Sequence, residues 1–149
     1  MGAGMTSSPC DVELARRGAE DVRRLGAMLL GSDHAAQRAA AARRLGACGF
    51  VSAYASLRQA LWDPDEGVRV SAVNAIGALA VRQSAGELAA LYAWSGPRLR
   101  RAVLRAVQKI GLSSVFDGIL TLARDDPDAR ARGLAARAER ALSRARRRS

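Results

Sequence analysis

The chain repeats itself, and that restricts its fold more than any other feature. Three segments end alike: Arg-Arg-Leu-Gly at 43–46, Asn-Ala-Ile-Gly at 74–77 and Gln-Lys-Ile-Gly at 108–111. The glycines Gly46, Gly77 and Gly111 stand 31 and 34 residues apart, and alanine recurs five positions before each, at Ala41, Ala72 and Ala106. Arginine recurs eight positions before the first two, at Arg38 and Arg69. A unit of this length cannot bury its apolar face alone. Neighbours must stack, and about three or more are needed for stability.

Each segment reads as a helix. In the middle one, Val68, Ala72, Ala75, Ile76 and Leu79 fall on one face at steps of three and four. Asp63-Pro64-Asp65 ahead of it supplies an N-cap and first-turn acid. Asp126-Pro127-Asp128 repeats that signal and opens a last helix with Ala131, Leu134, Ala135, Ala138, Leu142 and Ala145 on one side. Shorter apolar helices are predicted near 51–61, 84–93 and 113–123, and a longer one over Val12–Leu30. Gly, Ser, Asp and Pro mark the turns, and strand signals are absent. The predicted fold is all-α, with about four helical hairpins at roughly 12–48, 49–80, 81–111 and 112–146 forming one domain over 12–149. Residues 1–11 are expected to be a disordered lead-in.

Composition agrees with close helix packing. Apolar residues make up 49% of the chain but aromatics only 4%, so Ala, Leu and Val must fill the core. The net charge of +10 is uneven, because residues 97–149 carry 14 basic side chains against 5 acidic ones. A field of that kind points to an acidic partner. Cys10, Cys48 and the single His34 lack metal-ligand spacing. The two cysteines are read as free thiols, with a Cys10–Cys48 disulfide as the alternative. No apolar run reaches the ~20 residues of a membrane span, and a cytoplasmic setting is the expectation.

The stretch Leu61-Trp-Asp-Pro-Asp-Glu-Gly-Val-Arg-Val-Ser-Ala-Val-Asn-Ala-Ile-Gly-Ala-Leu79 resembles the HEAT-like helical repeat pattern (armadillo-type, including the bilin-lyase-like HEAT proteins). Ser32 to Gly46 and Asp126 to Leu142 are looser copies. The 97–111 unit departs most, with Val103 where arginine is expected and Ser95-Gly96-Pro97 in place of Asp-Pro-Asp. The resemblance implies a short right-handed α-solenoid. It also implies a structural ladder in which the Asp before each second helix meets the Arg inside it: Asp63 with Arg69, then Asp33 with Arg38 and Asp126 with Arg132. The second helices are implied to line the side where partners dock.

Two basic stripes are the candidate recognition residues. Arg98, Arg101, Arg105 and Lys109 share one helix face, opposite Leu99, Ala102, Val103, Ala106 and Ile110. Arg130, Arg137, Arg144 and Arg148 form the second, thickened by Arg140, Arg146 and Arg147. The plainer alternative is a solvated face and a charged terminal cap. Trp62 and Trp94 occupy matching positions before the turn into the next helix and are expected to pack at the hairpin corners, with a partner hot spot as the alternative. HEAT-like DNA glycosylases pair Trp with a catalytic Asp, but Asp63 beside Trp62 is already accounted for as a cap. His34 has no nucleophile or second base to work with and is expected to face solvent. The acidic clusters at helix starts lack calcium-loop spacing.

No catalytic, cofactor or metal residues are therefore assigned. The expected function is a non-enzymatic scaffold that binds an acidic protein surface. Nonspecific nucleic-acid binding through the basic helices is the first alternative. It is disfavoured because the aromatics lie away from the arginines. Accessory subunit of an enzyme is the second. Met1-Gly2-Ala3-Gly4-Met5-Thr6 also matches the loose N-myristoylation pattern, although a membrane is not the expected partner.

Overall fold

A computed structural model describes residues 8–111 and 113–148. The expected lead-in up to residue 7, and with it the acylation pattern, lies outside the described residues. Among the described residues eight α-helices follow one another: α1 (Pro9–Gly31), α2 (Ala35–Ala47), α3 (Tyr54–Ala60), α4 (Glu66–Ala78), α5 (Ala85–Trp94), α6 (Pro97–Ile110), α7 (Asp117–Arg124) and α8 (Ala129–Arg148). A single 3-10 turn leads into each of α3, α5 and α7. There is no strand among the described residues.

Helix α1 begins earlier than Val12. Pro9 occupies its first position, and Ser8 and Asp11 close a capping box in which each side chain bonds the other's backbone N–H. The helices pair as α1/α2, α3/α4, α5/α6 and α7/α8. Second helices stack in order, α2 on α4, α4 on α6 and α6 on α8, while α1 meets α3 and α5 meets α7 in the other layer. One core runs unbroken from Val22 to Ala138. Leu29, Leu45, Leu57, Leu61, Ile76 and Phe116 are among its largest fully buried side chains. Such stacking of two-helix units is what the repeat demanded.

The stacking depends on two of the three recurring glycines. A Cβ on Gly46 would lie 2.7 Å from Ala75 Cα and 2.8 Å from its Cβ. One on Gly77 would lie 2.9 Å from Ala106 Cα. Bare backbone there lets α2 approach α4, and α4 approach α6, closely. Gly111 does something else: it terminates α6 with φ +106, a conformation glycine tolerates best.

The second helices in fact start at Ala35, Glu66, Pro97 and Ala129, which are 31, 31 and 32 residues apart. In this register Gln108, not Gly111, stands where Gly46 and Gly77 stand. Its Nε2 donates to the Leu134 carbonyl of α8 at 3.1 Å. A side chain therefore occupies the third crossing, and α8 meets α6 less extensively than α4 does. Ala145 is exposed despite its place on the apolar stripe.

The ladder also differs from the pairing the resemblance implied. Arg38 does not hold Asp33. It reaches the next unit, where Nε and Nη2 grip Asp63 at 2.8 and 3.0 Å while Nη1 donates to the carbonyl of Ser32. Arg69 and Arg132 likewise use Nη1 on carbonyls of their own loops, those of Asp63 and Pro64 and of Asp126 and Pro127. Val103 is a core residue, and Arg100 takes the arginine position of the third unit, with Nη1 3.4 Å from Asp126 Oδ2. Where the next unit offers a carboxylate, the arginine reaches one unit forward, as Arg38 does to Asp63 and Arg100 to Asp126. Local sequence spacing hides that reach.

Candidate functional site: a basic groove between the last two second helices

Leu99, Ala102, Val103, Ala106 and Ile110 are buried, and their burial turns the opposite face of α6 outward. Ala131, Ala135 and Ala138 seat α8 in the same way. The two polar faces meet in a groove of about 690 Å³. Arg98, Arg101 and Arg105 come from α6, and Arg130 and Arg137 from α8, with Gly133 and half-buried Leu134 between them. The standoff at Gln108 lies at this same crossing.

Two of the five guanidiniums are partly neutralised. Arg98 faces Glu66 at 3.8 Å and Arg101 faces Asp128 at 3.5 Å. Among the described residues, Arg105, Arg130 and Arg137 have no ion-pair partner and are exposed. Three uncompensated guanidiniums thus share one concavity, each offering a planar donor fork suited to carboxylate or phosphate. Arg144 lies further along α8 with Arg140 and Arg147, beside a shallower hollow of about 410 Å³. Lys109 is exposed at the end of α6 and does not line the groove, and neither does Arg148 at the end of α8.

The remaining polar groups support the fold. Burial pushes Asp63 upward, but the Arg38 hydrogen bonds, the Asp65 N–H and the nearby Arg38 and Arg69 charges outweigh it, so its pKa falls below the usual carboxylate value. The Tyr92 hydroxyl donates to buried Asp126, and its pKa is raised, first by burial and then by that carboxylate. Asp65 caps α4 by accepting from Val68 N at 3.0 Å. His34 is exposed at the start of α2 and caps with backbone alone. Cys10 and Cys48 are free thiols. Among the described residues no group of His, Cys, Asp and Glu is placed to hold a metal ion, and no helix is long and apolar enough to cross a membrane.

Trp62 and Trp94 do not pack at the corners as expected. They are 56% and 87% exposed. Sequence reasoning also missed Arg100 and Gln108. Counting from the helix starts rather than from the glycines would have found both.

A regular stack of helix pairs with an open charged face defines an α-helical repeat protein. The profile of HEAT repeats matches residues 22–95 and 63–140, and the chain belongs to that family. Among solved structures it is similar to the complex of CpcE and CpcF of phycocyanin lyase from Nostoc sp. PCC7120, with 25% identity and a TM-score of 0.66. That alignment covers 92% of this chain and 61% of the other, so the chain spans less than two thirds of its neighbour's length. A comparison with curated proteins returns no match.

Proposed function

We propose that the protein is a non-enzymatic interaction module whose basic groove docks an acidic segment of a partner protein. The observation that carries this reading is the convergence of Arg105, Arg130 and Arg137, free of acidic partners, on one concavity beside Leu134. A merely solvated face would spread such charges apart to reduce their repulsion. The stripe residues outside the groove, Lys109, Arg144 and Arg148, extend the field and steer approach. The groove holds no aromatic ring on which a base could stack, which favours a carboxylate-bearing protein over nucleic acid.

A second reading has its own support. The similar structure is a complex of two chains of a lyase, so the acidic partner could be a catalytic chain to which this protein is an accessory subunit. Both readings place the partner in the same groove.

The test is fluorescence anisotropy with a labelled decaglutamate peptide and a labelled single-stranded oligonucleotide. The triple variant Arg105→Glu, Arg130→Glu, Arg137→Glu is expected to weaken peptide binding at least tenfold, about 1.4 kcal/mol. Unchanged peptide binding by that variant would refute the groove. Tighter binding of the oligonucleotide, with a log–log salt slope of roughly −3.5 for five phosphate contacts, would transfer the groove to nucleic acid.

A further inference from the structure

The arginine ladder has a missing rung. In the shared register the arginines are Arg38, Arg69, Arg100 and Arg132, and the positions just ahead of the second helices are Ser32, Asp63, Trp94 and Asp126. Arg38 meets Asp63 and Arg100 meets Asp126, so the first and third junctions each carry a carboxylate. At the middle junction Arg69 is followed by Trp94, which cannot accept its hydrogen bonds. The consequence is specific to two atoms. Arg38 uses Nη1 on a loop carbonyl and its Nε/Nη2 fork on the carboxylate. Arg69 uses Nη1 in the same way, and its Nε/Nη2 fork has no acceptor among the described residues.

Around that fork lies a cavity of about 220 Å³ walled by Trp62, Leu91 and Trp94 and floored by Ser95 and Gly96. The nearby acids are already engaged. Asp63 is held by Arg38, Asp65 caps Val68, and Glu66 faces Arg98. None is left for Arg69. Both indoles remain largely exposed beside a half-buried guanidinium, and paired aromatic and arginine groups are the commonest anchors of protein interfaces.

We infer that the Arg69–Trp62–Trp94 cavity is a second docking site, which takes an Asp or Glu carboxylate of a partner protein, flanked by an apolar side chain, as the missing rung. The carboxylate accepts from Nε and Nη2 as Asp63 does from Arg38, and the apolar neighbour inserts between the indoles. The site shares no lining residue with the basic groove and stands without it.

The chain has two tryptophans, so intrinsic fluorescence reads this site alone. The probes are an acetylated Phe-Glu-Leu amide and its Phe-Gln-Leu counterpart, titrated to millimolar concentration. The glutamate peptide is expected to shift indole emission with at least fivefold higher affinity than the glutamine peptide. Trp94→Asp supplies the rung internally, so Trp62 should then ignore the peptide while the thermal midpoint rises. The groove triple variant should respond like wild type. Equal responses to the two peptides, no response to either, a persisting Trp62 response in Trp94→Asp, or loss of the response in the groove variant would each overturn the assignment.

Discussion

Replacing Gly46 with alanine tests the physical basis of the stack. The added Cβ would sit 2.7 Å from Ala75 Cα and 2.8 Å from Ala75 Cβ, against the ~3.5–4.0 Å of an ordinary carbon contact. The obstacle is backbone, which no rotamer change can move, so α2 and α4 must separate by about 1 Å and loosen the contacts around Leu45 and Ile76. Overpacking of this kind costs about 1–3 kcal/mol. Alanine's helix propensity returns up to about 1 kcal/mol. The net expectation is destabilisation of about 1–2 kcal/mol, or roughly 2–8 °C in Tm for a domain of this size. Gly133→Ala is the control: it is interior to α8, a Cβ there meets nothing within 4 Å, and only the propensity gain should appear. Chemical denaturation followed by circular dichroism measures both. A Gly46→Ala protein as stable as wild type would show that the glycine is not what permits the approach, and the account of the repeat would fail with it.

The ladder and the buried tyrosine make two further predictions. Asp63 titrates below an unfolded carboxylate, so its contribution is fully present above pH ~4 and is lost as pH falls through its lowered folded pKa. Urea midpoints of Asp63→Asn should therefore lie below wild type at neutral pH and converge with it in acid; a constant gap would refute the linkage. Tyr92→Phe leaves buried Asp126 one donor short and should cost about 1–3 kcal/mol at pH 7. Tyr92 has a raised pKa, so its contribution is full below pH ~10 and declines above it. The wild-type advantage should therefore shrink in alkali, as midpoints taken up to pH 11 would show.

The fold class was legible because stacking leaves a periodic trace. Buried faces recur at steps of three and four, and Ala75 and Ala106 lie against Gly46 and Gly77 at the crossings. The basic face of α6 was legible for the same reason, since burial of Leu99, Val103 and Ile110 leaves the arginines one direction to point. What misled was the shared Gly ending. Gly46 and Gly77 serve helix approach while Gly111 serves helix termination, and a one-dimensional alignment scores the two alike. The error moved the third unit by three residues, put Val103 in the arginine position and hid Arg100. The tryptophans failed for another reason. An amphipathic pattern fixes which way a side chain points only inside a helix, and Trp62 and Trp94 lie where the helices end.

A repeat protein supplies its own internal reference, because each unit shows what the others would do under the same constraints. Judged that way, the two largest departures in this chain each open a surface. Gln108 in the place of Gly46 and Gly77 holds α8 off α6, and the gap is the groove that Arg105, Arg130 and Arg137 face. Trp94 in the place of Asp63 and Asp126 leaves the Arg69 fork without its carboxylate, and the gap is the cavity between the indoles. Either departure gives up packing or a hydrogen-bonded pair that its neighbours keep. A chain needing only to stack would keep at 94 the carboxylate that Arg69 lacks. Both residues therefore make most sense as concessions to something that docks, and both gaps present unpaired guanidinium.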